Sequence, residues 1–462
     1  MIPARLEPIL DDVRPLADRF AAAGHRVYLV GGIVRDLVVG RLRAGADLDL
    51  TTDARPEQTE ALLSGWADAV WTQGRAFGTV GARKGDVVFE VTTHRAEAYR
   101  EDSRKPHVVY ADDVVEDLSR RDFTVNAMAL RLPDVELIDP YGGVADLAAG
   151  VLQTPLGPEV SFSDDPLRML RAARFVAGYG LTPDPALVAA VRGMRERLAI
   201  VSAERIRDEL SKLLVVDDPS PGLWFLADTE LSDEFLPELR ALRLEQDPIH
   251  RHKDVLAHTI AVVAKTSPRL VVRLAALLHD VGKPKTRSIG PRGVSFHHHE
   301  VVGARMARDR LRALRYPNDV VDDVQRLVFL HLRFHGYRDD VWTDAAVRRY
   351  ARDAGALLDE LNELTRSDCT TRNERKARML AARMDALEAR IAELREREEL
   401  SAIRPDIDGN RVMELLGVRP GPVVGEALAM LLEARLDEGP LGEEEAERRL
   451  LAWWAERQVG DG

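Results

Sequence analysis

The sequence contains one cysteine and no long apolar run. Cys369 is the only cysteine among 462 residues, so no disulfide can form within the chain, which is typical of a reducing compartment. No apolar run approaches the roughly 20 residues that a membrane-spanning helix needs, and the first residues lack the apolar core of a signal peptide. We therefore expect a cytoplasmic protein without a membrane partner.

An excess of basic residues is also lacking. The chain has 65 Lys and Arg residues against 77 Asp and Glu residues, a formal net charge of −12. Non-specific binding to nucleic acid depends on neutralising phosphates, so any nucleic acid must meet a local basic surface. A hydrophobic content of 45% supports real cores, and the length predicts roughly two to four domains.

One stretch near the N-terminus combines a glycine turn with acidic residues. The apolar run 27–30 predicts a buried strand that ends at Gly31-Gly32, before a helix that carries Arg35. A helix N-terminus behind a glycine turn attracts phosphate, because free N–H groups and the helix dipole point at the anion. Asp47 and Asp49 follow on a second predicted strand, where residues two apart share a side. The combination predicts Mg²⁺ held against a nucleoside triphosphate; the alternative is a tight turn followed by surface acids.

The pattern of the remaining chain predicts an α/β head followed by an all-α body. Strands and helices alternate to about residue 155, as in a small mixed sheet with helices. Residues 95–113 carry many charges without periodicity and predict a mobile loop. From about Phe162 onward no strand is expected. The predicted domains are a head (1–155), a helical neck (156–245), a metal-binding helical domain (246–373) and a helical C-terminal body (374–462).

Two further motifs can complete a nucleotide site. Residues 120–127 (RRDFTVNA) offer contacts to phosphate, ribose and base. Asp165 and Arg168 are neighbours on a predicted helix, where a carboxylate can accept from an exocyclic amino group while a guanidinium donates to a ring nitrogen. Cytosine and adenine present that pattern, whereas uracil and guanine reverse it. Arg171 and Arg174 continue the spacing, but each step of three drifts about 60° around the helix. The alternative is an exposed i,i+3 salt bridge.

The predicted head and neck resemble the class II tRNA nucleotidyltransferases, the CCA-adding enzymes, which share these parts with bacterial poly(A) polymerases. The resemblance covers about residues 20–215, in five motifs: LVGGIVRD with DLD, RRDFTVNA, DPYGG, DDPLRMLRAARF and SAERIRDELSKLL. It implies that Asp47 and Asp49 hold the catalytic metals. It also implies a nucleotide site made of Gly32, Arg35, Arg121, Asp165, Arg168, Arg171 and Arg174.

Two acidic residues have open roles within this resemblance. The base-reading motif of the family commonly begins Glu-Asp, whereas this sequence has Asp164-Asp165, which leaves the role of Asp164 open. Glu90 lies on a predicted strand. It is either a third carboxylate near the metals or a structural residue.

The C-terminal half resembles the HD phosphohydrolase superfamily, whose pattern is His…His-Asp…Asp. Neighbouring residues on a helix point about 100° apart, so His279 and Asp280 can share an ion only near a helix end, which Gly282 and Pro284 supply. The resemblance implies a metal site of His258, His279, Asp280 and Asp368, with His299, His331 and His335 as extra ligands or phosphate contacts. Mixed imidazole and carboxylate ligands suit Mn²⁺, Fe²⁺, Ni²⁺ or Zn²⁺. The alternative is an HD fold kept as a scaffold.

Together the resemblances imply template-independent addition of CCA to the 3′ end of tRNA from CTP and ATP, with release of pyrophosphate, and an HD phosphohydrolase activity. Three alternatives stay open. The first is a poly(A) polymerase or an enzyme that adds only CC or only A. The second is an HD phosphohydrolase with a nucleotide-sensing head, and the third is an RNA-binding adaptor. The oligomeric state and the HD metal stay open as well.

Overall fold

The protein is described from a computed structural model. The described residues are 6–41, 47–98, 107–244, 254–290, 293–336, 342–370, 373–398, 400 and 403–460. The chain divides into two compact units, Met1–Pro237 and Glu238–Gly462. A mixed sheet with helices is followed by a mostly helical chain, which confirms the predicted fold class. The finer division into four domains stays a prediction.

The first unit is built on a seven-stranded sheet. Its strands are β1 (Val27–Val30), β2 (Leu48–Thr52), β3 (Ala69–Trp71), β4 (Thr79–Lys84), β5 (Val87–Thr93), β8 (Ala129–Leu132) and β9 (Glu136–Ile138). Their order in the sheet is β3-β4-β5-β2-β1-β8-β9. The pair β2–β5 is parallel and the other neighbours are antiparallel. The helices of the sheet region are α1 (Glu7–Ala22), α2 (Gly32–Val39), α3 (Pro56–Leu63), α4 (Val114–Ser119) and α5 (Gly143–Ala149).

Alternating burial on the central strands sets which side chains face the core. In β2, Leu48 and Leu50 are buried, whereas Asp49 between them is exposed. Helix α1 covers one face of the sheet and buries Leu10 and Phe20 completely. Because the apolar residues are held on the other side, the strand presents Asp49 away from this core.

The stretch 95–113, predicted as a mobile loop, is partly regular. The segments β6 (Arg95–Ala98) and β7 (His107–Tyr110) pair as antiparallel strands, with Arg95 opposite Tyr110. The loop prediction is therefore wrong for these two segments, because cross-strand pairing is not visible in the local pattern of charges. Residues 99–106 lie outside the described residues.

A helical segment follows the sheet within the first unit. It contains α6 (Pro158–Asp164), α7 (Leu167–Tyr179), α8 (Pro185–Met194), α9 (Ala203–Leu214) and α10 (Ser220–Asp228), with a short parallel pair of β10 (Val151–Leu152) and β11 (Thr182–Pro183). Helix α10 approaches α7 closely at Gly222, where a Cβ would lie 2.5 Å from the carbonyl oxygen of Ala173.

Helices make up most of the second unit. Helix α11 (Pro237–Ala241) crosses the boundary between the units in the sequence, and the helices that follow are α12 (Val255–Lys265), α13 (Leu270–Leu278), α14 (Lys283–Thr286), α15 (His299–Ala313), α16 (Asn318–Leu330), α17 (Arg333–Gly336), α18 (Asp344–Ala354), α19 (Leu358–Asp368), α20 (Glu374–Arg397), α21 (Gly409–Leu416), α22 (Pro422–Glu438) and α23 (Glu443–Gly460). An antiparallel hairpin, β12 (Arg287–Gly290) with β13 (Gly293–Phe296), interrupts them.

That hairpin and β11 contradict the expectation that no strand follows Phe162, because such short strands give no clear periodicity. Among the described helices, none combines the length and the apolar character required to cross a membrane.

Candidate functional site

Gly31 lies at the centre of the predicted phosphate cradle. Its φ of +74° lies in the left-handed region, which residues with a Cβ atom rarely adopt. A Cβ added there would lie 3.0 Å from Nη1 of Arg121 and 4.0 Å from Oδ2 of Asp49. The turn between β1 and α2 therefore needs glycine both for its backbone and for the approach of Arg121.

Carboxylates from two neighbouring strands meet beside this turn. Asp49 on β2 is registered opposite Glu90 on β5, and both line the same cavity. Partial desolvation raises the pKa of Asp49, the Glu90 and Asp47 carboxylates raise it as well, and Arg121 lowers it. Asp47 is exposed and precedes β2. Crowded carboxylates that raise the pKa of Asp49 suit a divalent cation, which would relieve their repulsion.

Arg35 is a buried side chain with contacts inside the protein. Its Nη1 donates to Oδ1 of Asn126 at 2.6 Å and its Nε donates to Oδ1 of Asp36 at 2.9 Å. The guanidinium lies 4.1 Å from the ring centroid of Tyr179 on α7. Arg35 therefore connects α2 with α7, and a Cβ on Gly32 would lie 3.3 Å from its Nη2. That these two residues contact the triphosphate stays a prediction.

A buried carboxylate lies behind Arg120 and Arg121. Oδ1 of Asp117 accepts from Nη2 of Arg120 at 2.7 Å, and its Oδ2 accepts from Nη2 of Arg121 at 3.2 Å. The backbone N–H of Arg95, at the start of β6, donates to the same carboxylate at 3.1 Å. Burial would raise the pKa of Asp117, but the two guanidinium groups outweigh it and hold that pKa well below its usual range. Asp117 thus stays ionised and fixes both arginines.

Asp122 holds Arg171 in the same way. Its Oδ2 accepts from Nε and Nη2 of Arg171 at 2.9 and 2.6 Å, and its Oδ1 accepts from Nδ2 of Asn126 at 2.9 Å. Burial would raise the pKa of Asp122, but Arg171 and the Asn126 hydrogen bond lower it to about 2. The RRDFTVNA segment (120–127) is therefore attached to α7 through a buried ion pair.

The predicted base-reading pair is held by separate contacts. Arg168 donates from Nη1 to Oγ of Ser161 at 2.9 Å and from Nη2 to the carbonyl oxygen of Arg120 at 2.6 Å. Asp165 accepts from Nη2 of Arg205 on α9 at 2.7 Å. The sequence indicated an Asp165–Arg168 salt bridge as the alternative, whereas the recorded ion pair of Asp165 is with Arg205. Arg205 was missed, because its approach depends on how α9 packs against α7.

Arg174 points to a different partner. Its Nε donates to Oε1 of the buried Glu209 on α9, and Nη1 of Arg171 lies 3.9 Å from the other carboxylate oxygen of Glu209. Each step of three residues rotates about 60° around a helix, so Arg174 was expected to point away from Asp165 and Arg168, and its contact with Glu209 agrees with this expectation. Glu209 was also missed by sequence reasoning, because nothing local links it to α7.

A cavity of about 340 Å³ in the first unit joins most of these groups. Its lining includes ten acidic and basic side chains: Asp49, Glu90, Arg95, Arg120, Arg121, Asp122, Asp165, Arg168, Arg171 and Arg205. Gly32, Arg35, Asp47 and Arg174 are not part of this lining. The arrangement brings paired carboxylates and arginines into one cavity, as binding of a metal–triphosphate requires.

Helices of the second unit bring a separate cluster together. The Nε2 atom of His258 on α12 lies 2.9 Å from Oδ1 of Asp368 at the end of α19, and 3.3 Å from Nε2 of His279. His279 in turn lies 3.2 Å from Oδ2 of Asp280. The structure thus brings together the four residues that the HD pattern singled out.

Two further histidines join this cluster. Nε2 of His299 lies 3.4 Å from Oδ1 of Asp280 and 3.2 Å from Nε2 of His331. Burial lowers the pKa of His331 to about 3, so the ring is neutral at pH 7, as a metal ligand must be. The side chain of His335 lies outside the described residues, so its role in this cluster stays a prediction.

Without a metal ion, the carboxylates of the cluster keep a proton on His279, and a bound cation would have to replace that proton. Burial would lower the pKa of His279, but the Asp280 carboxylate raises it to about 9. Burial would raise the pKa of Asp280, and His279 and Lys283 hold it well below its usual range. Ligand groups this close and this well buried either share protons or bind a metal ion.

Comparisons with known proteins agree with this geometry. Three family models match the chain: a Poly A polymerase head domain over residues 27–153, a probable RNA and SrmB-binding site of polymerase A over residues 180–242, and an HD domain over residues 255–394.

Relatives that are similar to the chain carry names of the same kind. An A-adding tRNA nucleotidyltransferase of Deinococcus radiodurans is 35% identical over 94% of this chain and 96% of its own length. A CCA-adding enzyme of Bacillus subtilis is 37% identical over 50% of this chain and 56% of its own length.

Among solved structures, the Bacillus stearothermophilus CCA-adding enzyme in complex with CTP aligns with a TM-score of 0.71 at 24% identity, over 99% of this chain and 100% of that one. The Thermotoga maritima CCA-adding enzyme complexed with tRNA aligns with a TM-score of 0.59 at 19% identity, over 98% of this chain and 96% of that one. At these identities the likeness concerns the fold.

Proposed function

The chain belongs to the tRNA nucleotidyltransferase family, and from this premise we propose that it adds the nucleotides of the CCA end to the 3′ end of tRNA. The substrates would be CTP and ATP, and pyrophosphate would be released. The observation that carries the proposal is the cavity that Asp49 and Glu90 line together with Arg121, Asp165 and Arg168. It combines a site for a metal–triphosphate with donors and acceptors for a base.

The carboxylates of Asp47 and Asp49 would hold Mg²⁺, with Glu90 as a third candidate ligand. When bound, Mg²⁺ lowers the pKa of the attacking 3′-hydroxyl and neutralises charge on the triphosphate. Arg121 would contact the triphosphate, and the ionised Asp117 keeps it in place. The free backbone N–H groups at the start of α2, beside Gly31, would attract phosphate oxygens.

Base selection would rest on Asp165 and Arg168. Asp165 can accept from the exocyclic amino group of cytosine or adenine, and Arg168 can donate to the ring nitrogen beside it. The contacts of Arg168 with Ser161 and Arg120 orient its guanidinium before a base arrives. Arg205 has a side chain that is 53% exposed, so it can share Asp165 with the base or move aside.

A second candidate function is addition of the terminal A only. The similarity to the Deinococcus radiodurans A-adding enzyme extends over 94% of this chain, whereas the match to the Bacillus subtilis CCA-adding enzyme covers 50%. Both candidates share the step that uses ATP on tRNA ending in CC. They differ in whether the same cavity also accepts CTP on tRNA that lacks all three nucleotides.

One primer-extension experiment separates these functions. Two substrates are compared, tRNA that lacks all three CCA nucleotides and tRNA that ends in CC. Each is incubated with CTP, with ATP or with both, and product lengths are resolved on a gel. Growth by CCA on the shorter tRNA supports the first proposal, and growth only of the CC-ending tRNA supports the second. A long A tract would support a poly(A) polymerase instead. Asp49→Asn should abolish every extension, and extension by that variant would contradict the metal assignment.

We also propose that the histidine cluster of the second unit binds a divalent transition metal and hydrolyses phosphate esters. The candidates Mn²⁺, Fe²⁺, Ni²⁺ and Zn²⁺ suit its imidazole and carboxylate ligands. His279→Ala should abolish hydrolysis of a 2′,3′-cyclic nucleotide while primer extension continues. A wild-type protein that binds metal without hydrolysing any phosphate ester would favour the scaffold alternative. A wild-type protein that hydrolyses phosphate esters but extends no tRNA would favour the hydrolase with a nucleotide-sensing head.

A further inference from the structure

One row of residues crosses the open face of the sheet, starting at the carboxylates. Asp49 on β2 is registered opposite Glu90 on β5. Glu90 is in turn opposite Gly81 on β4, and Gly81 is opposite Trp71 on β3. Residues registered opposite one another point to the same side of a sheet, and Val70, which precedes Trp71, packs against the core on the other side. The row therefore places Trp71 on the face that carries the carboxylates.

The indole ring of Trp71 occupies the space above Gly81. A Cβ built on Gly81 would overlap Nε1 and Cε2 of this ring and would lie 2.7 Å from its Cζ2. Gly81 does not have a positive φ, so the position uses glycine for space and not for its backbone. Gly81 is buried beneath the ring, whereas Trp71 stays partly exposed and Glu90 is exposed. The ring thus lies beside Glu90 and remains accessible to a ligand.

Trp71 and the phosphate cradle lie on opposite sides of the carboxylates. In the order of the sheet, Gly31 follows β1 and Trp71 lies on β3, with the strands of Asp49 and Glu90 between them. Neighbouring strands are about 4.8 Å apart, so the ring over Gly81 lies roughly one strand spacing beyond Glu90. Neither Trp71 nor Gly81 lines the cavity assigned to the incoming nucleotide.

The geometry of the proposed reaction decides which ligand can reach this ring. In an in-line displacement, the attacking hydroxyl and the leaving pyrophosphate lie on opposite sides of the reacting phosphorus. With the triphosphate held near Gly31 and Arg121, the nucleotide that carries the attacking hydroxyl has to approach from the side of β5 and β4. Trp71 lies on that side.

The chemistry of the surface suits the end of an RNA strand. The terminal base of the acceptor changes as nucleotides are added, and stacking on an aromatic ring tolerates every base because each has a π face. Arg83, two residues beyond Gly81 on β4, is exposed and donates to the carbonyl oxygen of Gly85 at 3.3 Å. Because that partner is uncharged, the guanidinium can also attract a phosphodiester.

We propose that Trp71 binds the 3′-terminal base of tRNA by stacking and so brings the 3′-hydroxyl to the metal at Asp49 and Glu90, an inference that rests on the proposed function. The first unit then treats its two nucleotides differently. Asp165 and Arg168 read the incoming base by hydrogen bonds, whereas Trp71 holds the acceptor base without reading it.

Photocrosslinking tests the contact without depending on catalysis. tRNA that ends in CC, with 5-iodocytidine as its last nucleotide, is bound to the full-length protein together with the α,β-methylene analogue of ATP, which does not react. After irradiation, the crosslinked residue is identified by mass spectrometry. We expect Trp71, and a crosslink elsewhere or none from bound tRNA would overturn the inference. A crosslink at Trp71 in a protein that extends no tRNA would support the contact and contradict the proposed function.

Steady-state kinetics with unmodified tRNA ending in CC and ATP measure what the ring contributes. Trp71→Ala should raise the KM for tRNA at least about fivefold and the KM for ATP less than about twofold, and Trp71→Phe should restore most of the loss. Leu137→Ala removes an apolar side chain that is 44% exposed on β9, at the other edge of the sheet, and should change neither KM. Equal rises of both KM values in Trp71→Ala would overturn the assignment to the acceptor.

A double-mutant cycle tests the position of the ring above Gly81. Gly81→Ala should raise the KM for tRNA as Trp71→Ala does, because the new Cβ displaces the indole. In the Trp71→Ala background, the same substitution meets no ring and should change this KM less than about twofold. Effects that simply multiply would show that Gly81 does not act through the ring, and they would overturn the proposed platform.

Discussion

Replacing Asp122 by Asn tests whether the buried ion pair with Arg171 stabilises the first unit. The substitution keeps the size of the side chain and one acceptor oxygen, but it removes the negative charge between Arg171 and Asn126. The side chain of Asp122 is only 9% exposed and that of Arg171 30% exposed. Arg171 would therefore lose its partner in a place where water replaces it poorly.

The magnitude follows from the pKa of Asp122. Burial would raise this pKa, but Arg171 lowers it from 3.8 to about 2. At about 1.36 kcal/mol per pH unit, the charged form contributes about 2 kcal/mol to the free energy of unfolding. Because the folded pKa lies below the unfolded one, the contribution is complete above about pH 5 and is lost as the pH falls toward 2.

Hydrogen exchange measures this contribution within one unit of a two-unit chain. At pH 7 the backbone amides of residues 123–128 should exchange about 30-fold faster in Asp122→Asn than in the wild type, the equivalent of about 2 kcal/mol. Asp208→Asn removes an exposed carboxylate on α9 and should change exchange less than about twofold. A difference below about threefold, or one that persists unchanged at pH 2.5, would refute the reasoning.

Three further substitutions test the cradle, its support and the metal cluster. Gly31→Ala should raise the KM for ATP at least about tenfold, because the new Cβ would lie 3.0 Å from Nη1 of Arg121 on a backbone with φ +74°. Asp117→Asn should raise the KM for ATP more than the KM for tRNA, because Arg121 loses its charged partner. Gly282→Ala should lower the metal content of the second unit without changing primer extension, because its Cβ would lie 2.2 Å from the carbonyl oxygen of His299.

Matched glycines separate these effects from general backbone strain. Gly24 also has a positive φ, +81°, and an added Cβ would meet nothing within 4 Å, so Gly24→Ala should leave the KM for ATP unchanged. Gly290 in the hairpin is equally open, and Gly290→Ala should retain the full metal content. If a control and its test variant behave alike, the proposed contacts do not account for the effect.

Local patterns in the sequence predict the strand, glycine turn and helix around Gly31, because each depends on residues close together in the chain. The partners of the site residues depend on distant segments. Arg205 meets Asp165 across 40 residues, and Glu209 meets Arg174 across 35. Such contacts are set by the packing of α9 against α7, which the periodicity of one helix cannot reveal. The pairing of β6 with β7 was missed because it depends on which segments lie side by side, and the local pattern of charges does not show this.

The acidic net charge and the basic cavity become compatible once these partners are known. Arg121 and Arg171 in the cavity lining, and Arg174 outside it, are each paired with a buried carboxylate, from Asp117, Asp122 and Glu209 respectively.

Unpaired, such a group of arginines would bind any polyanion and would be costly to hold together. The carboxylates weaken that general attraction and fix each guanidinium in one orientation. Discrimination then depends on whether a ligand matches the fixed donors and acceptors, which is the property that selection of a nucleotide without a nucleic-acid template requires.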